Sequence, residues 1–181
     1  MELVVNNKNV YVVSDIHNDA DRFKKLLKQI RFSKEDILIV NGDIFDRGEQ
    51  PVELMEERLT SVDLLNLADW IDSKPYFIEL ILDGKYYQIA HAQTFPTPNR
   101  VRDMQWFYMG DFHHECFIRG EEEFLKGASV VGHTPTNNYK IWKSNSGRTI
   151  RIDCGNGFQY CGCNGTLGAI RLNDMDEYYV D

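Results

Sequence analysis

Apolar residues fall in short runs closed by polar turn residues, and each run predicts an element. Val10 to Val13 reads as a strand that stops at Ser14-Asp15-Ile16-His17. Asn18 or Asp19 then caps a helix in which Ala20, Phe23, Leu26, Leu27 and Ile30 recur at three- and four-residue spacing. Ser33 to Asp36 turn the chain into Ile37 to Val40, a short apolar run that predicts a buried strand. Strand, helix, strand is the unit of a parallel or mixed α/β sheet.

Pro51 suits the first turn of a helix, and Val52 to Ile71 carries a mostly helical pattern, as one helix or as two joined near Thr60-Ser61, with Pro75 closing it. Phe77 to Leu82 and Lys85 to Ala90 flank Asp83-Gly84, a two-residue hairpin signal. A Pro-rich loop from Thr94 to Asn99 leads into an irregular stretch with Trp106, Phe107, Tyr108, His113 and His114. Beyond it the pattern is β: Ser129 to Val131, Lys140 to Trp142, Thr149 to Asp153, Leu167 to Leu172 and Glu177 to Val180, with turns at Ser146-Gly147 and Asn173-Asp174. No repeat, low-complexity tract or linker interrupts the sequence, so a single domain over 1–181 is expected.

Composition narrows the partners. Hydrophobic residues make up 43% of the 181 residues and charged residues 27%, which suits a globular domain with its own core. The net charge of -8 disfavours nucleic acid and anionic membrane as partners, although cations bound in an acidic cleft would restore a local anion site. No apolar run reaches membrane-spanning length, and Met1 to Val5 lacks the basic start and long apolar core of a signal peptide. Cys116, Cys154, Cys161 and Cys163 contain no C-x-x-C pair, so buried free thiols in a cytoplasmic protein are expected, with a small metal cluster at the last three as the alternative.

Candidate chemistry gathers where strands end, as it does at the carboxyl ends of strands in open α/β sheets. Four such ends carry Asp15 with His17, Asp43, His91 and His133. A histidine after a strand is, taken alone, more often structural. Together these residues make a different pattern. Asp-x-His can place two ligands on one ion, a carboxylate on the next strand can bridge to a second, and two later histidines can complete it. Mixed nitrogen and oxygen ligands suit Mn, Fe or Zn better than Ca or Mg. Asp46 and Arg47 follow Asp43 at the same rim, and a guanidinium suits a phosphate.

Ser14-Asp15-Ile16-His17, Gly42-Asp43-Ile44-Phe45-Asp46-Arg47-Gly48, His91-Ala92, Gly132-His133-Thr134-Pro135 and the tail Ile152-Asp153-Cys154-Gly155 with Leu167 to Leu172 resemble the calcineurin-like metallophosphoesterases, and most nearly their bacterial and phage phosphoprotein-phosphatase branch. The resemblance implies an α/β (α+β) fold, a β-sandwich of mixed sheets flanked by helices. It implies two divalent ions, Mn foremost and Fe or Zn otherwise. Asp15 and His17 would hold the first, Asp43 would bridge both, and His91 and His133 would hold the second. Arg47 would bind phosphate. Asp46 would match the carboxylate that orients the catalytic acid. The reaction implied is hydrolysis of a phosphorylated protein or small phosphoester by a water that bridges the metals, with no phosphoenzyme.

The sequence also departs from that pattern. The family's Gly-Asn-His-Glu motif, which supplies an Asn ligand to the second metal and the His that protonates the leaving group, occurs nowhere. Asp43 and His91 lie only 48 positions apart (91 − 43), and the natural gap falls between Leu54 and Met55, so one strand-helix segment is expected to be missing. Asn18 and Gln93 stand where the family has Gly, and Tyr108 where it often has a second phosphate-binding Arg. Arg102 or Arg119 could replace that Arg, though nothing in the spacing says so; His113 or His114 could replace the acid, but a solvated pair in a loop is the commoner reading. Asn66 offers an amide but lies in a helical run. The expected function is therefore a metal-dependent phosphoesterase of reduced activity toward alkyl phosphates such as phosphoserine. The alternative is a pseudophosphatase or deletion variant that acts by binding.

Overall fold

The chain opens with a strand that the hydrophobic pattern did not announce. In the computed structural model, which describes residues 1–45, 47, 60–92 and 122–181, β1 (Glu2–Val5) lies parallel to β4 (Phe77–Leu82) at one edge of a sheet. Only Val5 of β1 is buried, so the run is too short and too exposed to carry a period. The other elements follow in chain order: β2 (Val10–Val13), α1 (Ala20–Gln29), β3 (Ile37–Val40), α2 (Ser61–Asp72), β5 (Lys85–Ala90), β6 (Ala128–Val131), β7 (Trp142–Lys143), β8 (Thr149–Arg151), β9 (Leu167–Arg171) and β10 (Asp176–Val180), with short 3-10 helices at Glu122–Phe124 and Asn156–Cys161.

The strands form two mixed sheets, one ordered β1-β4-β5-β6-β8-β7 and one ordered β10-β9-β2-β3. β4 and β5 are the expected hairpin around Asp83-Gly84, in register from Phe77 opposite Ala90 to Leu82 opposite Lys85. Asp19 is the cap of α1, its side chain accepting from the Arg22 N–H. Thr60 and Asp63 form a reciprocal capping box at the start of α2, at the joint expected near Thr60-Ser61.

β2 is buried on both faces. Val10 and Val12 pack between the sheets with Ile39, Leu80, Leu82, Ile89, Val130, Ile150 and Ile170. Tyr11 and Val13 pack on the opposite face with Leu26 and Ile30 from α1 and its C-terminal end. A strand covered on both sides reads as unbroken apolar sequence. α1 thus covers one face of the second sheet, and the first sheet covers the other.

Several strand boundaries differ from expectation by a residue or two, and two of them bear on the packing. β7 starts at Trp142 rather than Lys140, because the N–H of buried Ile141 donates to the Tyr179 hydroxyl (3.1 Å) while Thr136 holds the Lys140 carbonyl (2.7 Å). β8 stops at Arg151, two residues early, and Asp153 lies beyond the strand.

β3 ends the second sheet, and among the described residues no strand pairs beyond it. Asp46, the Leu54-Met55 junction, the helical pattern at Val52–Leu59, Gln93, the Pro-rich loop, Arg102, Tyr108, His113, His114, Cys116 and Arg119 lie outside the described residues. Asn66 is exposed on α2. Cys154 is a buried free thiol and Cys163 a half-buried one. No described helix is long and apolar enough to cross a membrane.

Candidate metal centre

β2 and β3 run parallel, as do β5 and β6, so the loops after all four strands can meet at one end of the sandwich. Backbone hydrogen bonds extend the β2–β3 pairing into the loops: Asp15 N–H donates to the Gly42 carbonyl (3.3 Å), His17 to Asp43 (2.9 Å) and Asn18 to Ile44 (2.8 Å). Asn41 joins the sheets. Its side-chain amide donates to the Ala90 carbonyl (2.8 Å), and its own carbonyl accepts from the Ser14 hydroxyl (2.7 Å). Gly132 N–H donates to the His91 carbonyl (2.7 Å), and the His133 N–H points at both oxygens of Asp15 (3.2 and 3.1 Å).

Left-handed backbone concentrates here. Asp15 (φ 56°), His17 (48°), Asn18 (62°), Asp43 (43°), Arg47 (61°) and His133 (64°) all adopt it without being glycine. Each such residue costs of order 1–3 kcal/mol and persists only where surrounding contacts fix it. Asn18 fits the Gly position because Asn tolerates this conformation, and its side chain donates to the Phe45 carbonyl (2.6 Å).

The five expected ligands converge in two groups that share Asp43. Asp15, His17 and Asp43 form one, and Asp43, His91 and His133 the other; the candidate ligand atoms in each lie within 4.8 Å of one another. The two oxygens of Asp43 divide between the groups. Oδ1 is 3.2 Å from His91 Nε2, and Oδ2 is 3.8 Å from His17 Nε2. His17 Nε2 is also 3.8 Å from Asp15 Oδ1, and His133 Nδ1 is 3.3 Å from His91 Nε2. His91 Nδ1 lies 2.8 Å from the Asn41 carbonyl. A carbonyl only accepts, so Nδ1 carries a proton, and Nε2 faces the centre, donating to Asp43 in the metal-free ring and offering a lone pair once it is deprotonated.

The electrostatics suit a cation. Burial, then the charge of Asp153, holds the Asp15 carboxyl well above the usual range. Burial opposes ionisation of Asp43, but the His91 hydrogen bond and the charges of His91, His17 and Arg47 outweigh it and draw its pKa down. Burial would depress His91, yet the Asp43 hydrogen bond and the charges of Asp15 and Asp43 lift it to about 9. Asp153 is buried and raised by that burial. Buried carboxylates crowded beside three imidazoles fit divalent ions that prefer mixed nitrogen and oxygen donors.

Arg47 is exposed at the rim, its guanidinium 5.2 Å over the Phe158 ring. Among the described residues, no cysteine joins either group, and Asn66 is exposed on α2. Pattern reading missed Asn41, Asp153 and the 3-10 helix at Asn156–Cys161. A Cβ on Gly132 would lie 2.4 Å from Asp15 Oδ2, and one on Gly157 would lie 2.2 Å from His17 Cδ2. Nothing in local sequence signals that the Gly157 backbone packs against a histidine 140 residues earlier.

The sequence profile of the calcineurin-like phosphoesterase family matches residues 8–163. Among solved structures, a serine/threonine phosphatase from Saccharomyces cerevisiae with similarity to human phosphatase PP5 is 11% identical with a TM-score of 0.67, covering 99% of this chain and 82% of its own. A cold-active protein tyrosine phosphatase is 17% identical with a TM-score of 0.60 (99% and 80% covered). An archaeal phosphodiesterase is 14% identical with a TM-score of 0.51 (95% and 98% covered). No curated protein matched in sequence. The profile match covers most of the chain, and the structural likenesses show the same fold: the chain belongs to the calcineurin-like phosphoesterase family and is a metal-dependent phosphoester hydrolase.

Proposed function

We propose that the chain is a phosphomonoesterase of the protein serine/threonine phosphatase kind that works with two divalent ions, Mn foremost and Fe or Zn as alternatives. The observation that carries this reading is the division of Asp43, one oxygen toward each ligand group. Asp15, His17 and Asp43 would hold the first ion, and Asp43, His91 and His133 the second. Ions bound there would polarise phosphoryl oxygens and supply a nucleophile from water at neutral pH.

The chain's own residues do the rest. Asn41 fixes the His91 tautomer, and the backbone bonds between the Asp15–Asn18 and Gly42–Ile44 loops hold Asp43 facing both groups. Arg47 meets the substrate phosphate from the rim through its fork of N–H donors. Asp46 is assigned, by its place in the Gly-Asp-x-x-Asp-Arg-Gly motif, to the family's carboxylate that orients the catalytic acid. The Gly-Asn-His-Glu motif that carries the family's acid is absent from the sequence, so substrates with acidic leaving groups are favoured. The shared core and the long profile match support one domain over 1–181, and the free thiols Cys154 and Cys163 support a cytoplasmic setting.

The test is Mn²⁺-dependent hydrolysis of p-nitrophenyl phosphate with Asp43→Asn as control, beside a phosphoserine peptide and a dinucleotide polyphosphate. Turnover of the aryl ester, lost in the variant, is expected. A metal-loaded protein that leaves the aryl ester intact would favour the second reading, a pseudophosphatase. The absent Gly-Asn-His-Glu motif supports that second reading.

A further inference from the structure

The 3-10 helix at Asn156–Cys161 meets the site at three consecutive residues. Asn156 is buried; its Nδ2–H donates to the Ile16 carbonyl (2.7 Å), and its side-chain oxygen accepts from Arg22 (2.9 Å) and Gln159 (2.8 Å). Gly157 packs on the His17 ring. Phe158, half-buried, lies beneath the guanidinium of Arg47, 5.2 Å from its ring centroid. The first two contacts lock this segment to the loop bearing Asp15 and His17. The third reaches the loop that bears Arg47.

We propose that Phe158 is a positioning residue that holds Arg47 in place for the phosphate of the substrate. This rests on the reading of Arg47 as the phosphate ligand. An exposed arginine samples many rotamers, and a ring face gives its cation one preferred seat. Because Asn156 and Gly157 register the segment against Ile16 and His17, the ring carries the position of the metal ligands across to the arginine. The C-terminal segment, and not only the loop after β3, then sets the distance between guanidinium and metal centre.

The probe is inorganic phosphate, titrated calorimetrically into the Mn²⁺-loaded protein, with steady-state kinetics on p-nitrophenyl phosphate alongside. Phe158→Leu is expected to weaken phosphate binding and raise KM by about two- to five-fold, the range of an exposed cation–π contact, with kcat, metal content and Tm little changed. Phe158→Tyr keeps the ring and restores binding. In an Arg47→Ala background, Phe158→Leu adds no further loss. If Phe158→Leu does not fold, Phe158→Met carries the same expectation. Unchanged phosphate affinity in Phe158→Leu, with a loss of about ten-fold or more in Arg47→Ala, overturns the positioning role and leaves the reading of Arg47 standing. Unchanged affinity in Arg47→Ala overturns that reading, and the role of Phe158 with it.

Discussion

Replacing Gly157 with alanine puts one methyl group where the ring of His17 lies. The new Cβ would be 2.2 Å from His17 Cδ2, 2.7 Å from Cγ and 2.6 Å from Nε2, the atom that faces Asp15 and Asp43. Carbon atoms pack at about 3.5–4.0 Å, so the ring must retreat by more than about 1 Å. His17 is buried, and its backbone is fixed by the His17 N–H to Asp43 carbonyl bond, so the side chain has little room to yield. Overpacking of this kind costs about 1–3 kcal/mol of stability. The larger effect falls on the metal. Misorienting a ligand costs roughly 10–100-fold in metal affinity, and a 1 Å misplacement up to about 10²-fold in rate. Calorimetric titration of Mn²⁺ should show the site of Asp15, His17 and Asp43 weakened by that factor, the site of Asp43, His91 and His133 largely kept, and aryl phosphatase activity down in proportion. Mn²⁺ affinity within two-fold of the parent at both sites, in a folded variant, would refute the placement of His17.

Other perturbations probe different parts of the centre. Asn41→Ala strips the Ala90 carbonyl of its buried donor, so urea denaturation should show a loss of about 1–3 kcal/mol; the Asn41 carbonyl still orients His91, so two ions should still bind. His91, lifted from 6.5 to about 9 by its carboxylate neighbours, contributes stability to the metal-free protein that is complete below about 6.5 and lost as pH rises through about 9. The Tm of the metal-free protein should therefore fall across that window. Because a metal ligand must be deprotonated, Mn²⁺ binding at pH 7 should release protons, measured as a dependence of binding enthalpy on the ionisation enthalpy of the buffer; no such dependence would contradict the assignment of His91. Without the family's acid, phosphoserine peptide should be hydrolysed about 10²–10⁴-fold more slowly than p-nitrophenyl phosphate, as initial rates would show.

How far the sequence could be read depended on whether the cause of each feature was local. β2, β3 and the β4–β5 hairpin were legible because a buried run or an Asp-Gly turn states its own structure. The five candidate ligand residues were legible as a set because each follows a strand end within a compact motif, and the structure brings all five together. β1 was not, since an edge strand with one buried residue has no period. The 3-10 helix at Asn156–Cys161 reads as loop, being rich in Gly, Asn and Cys. Its place comes from Arg22 and Ile16, 134 and 140 positions away in sequence. Asn41 stands immediately before the Gly42–Gly48 motif, yet its bond to Ala90 exists only once the two sheets pack. Asp153 was placed in a strand that ends two residues before it, which hid its approach to Asp15.

The central claim is that one carboxylate, Asp43, joins two metal ions. Electron paramagnetic resonance of the Mn²⁺-loaded protein tests it most directly, because two Mn²⁺ ions sharing a bridge are spin-coupled and isolated ions are not. The account predicts a coupled spectrum at saturation that collapses to the six-line signal of a single uncoupled ion, with most metal lost, in Asp43→Asn. A six-line spectrum from the saturated parent protein, or a coupled one that survives in Asp43→Asn, would contradict it.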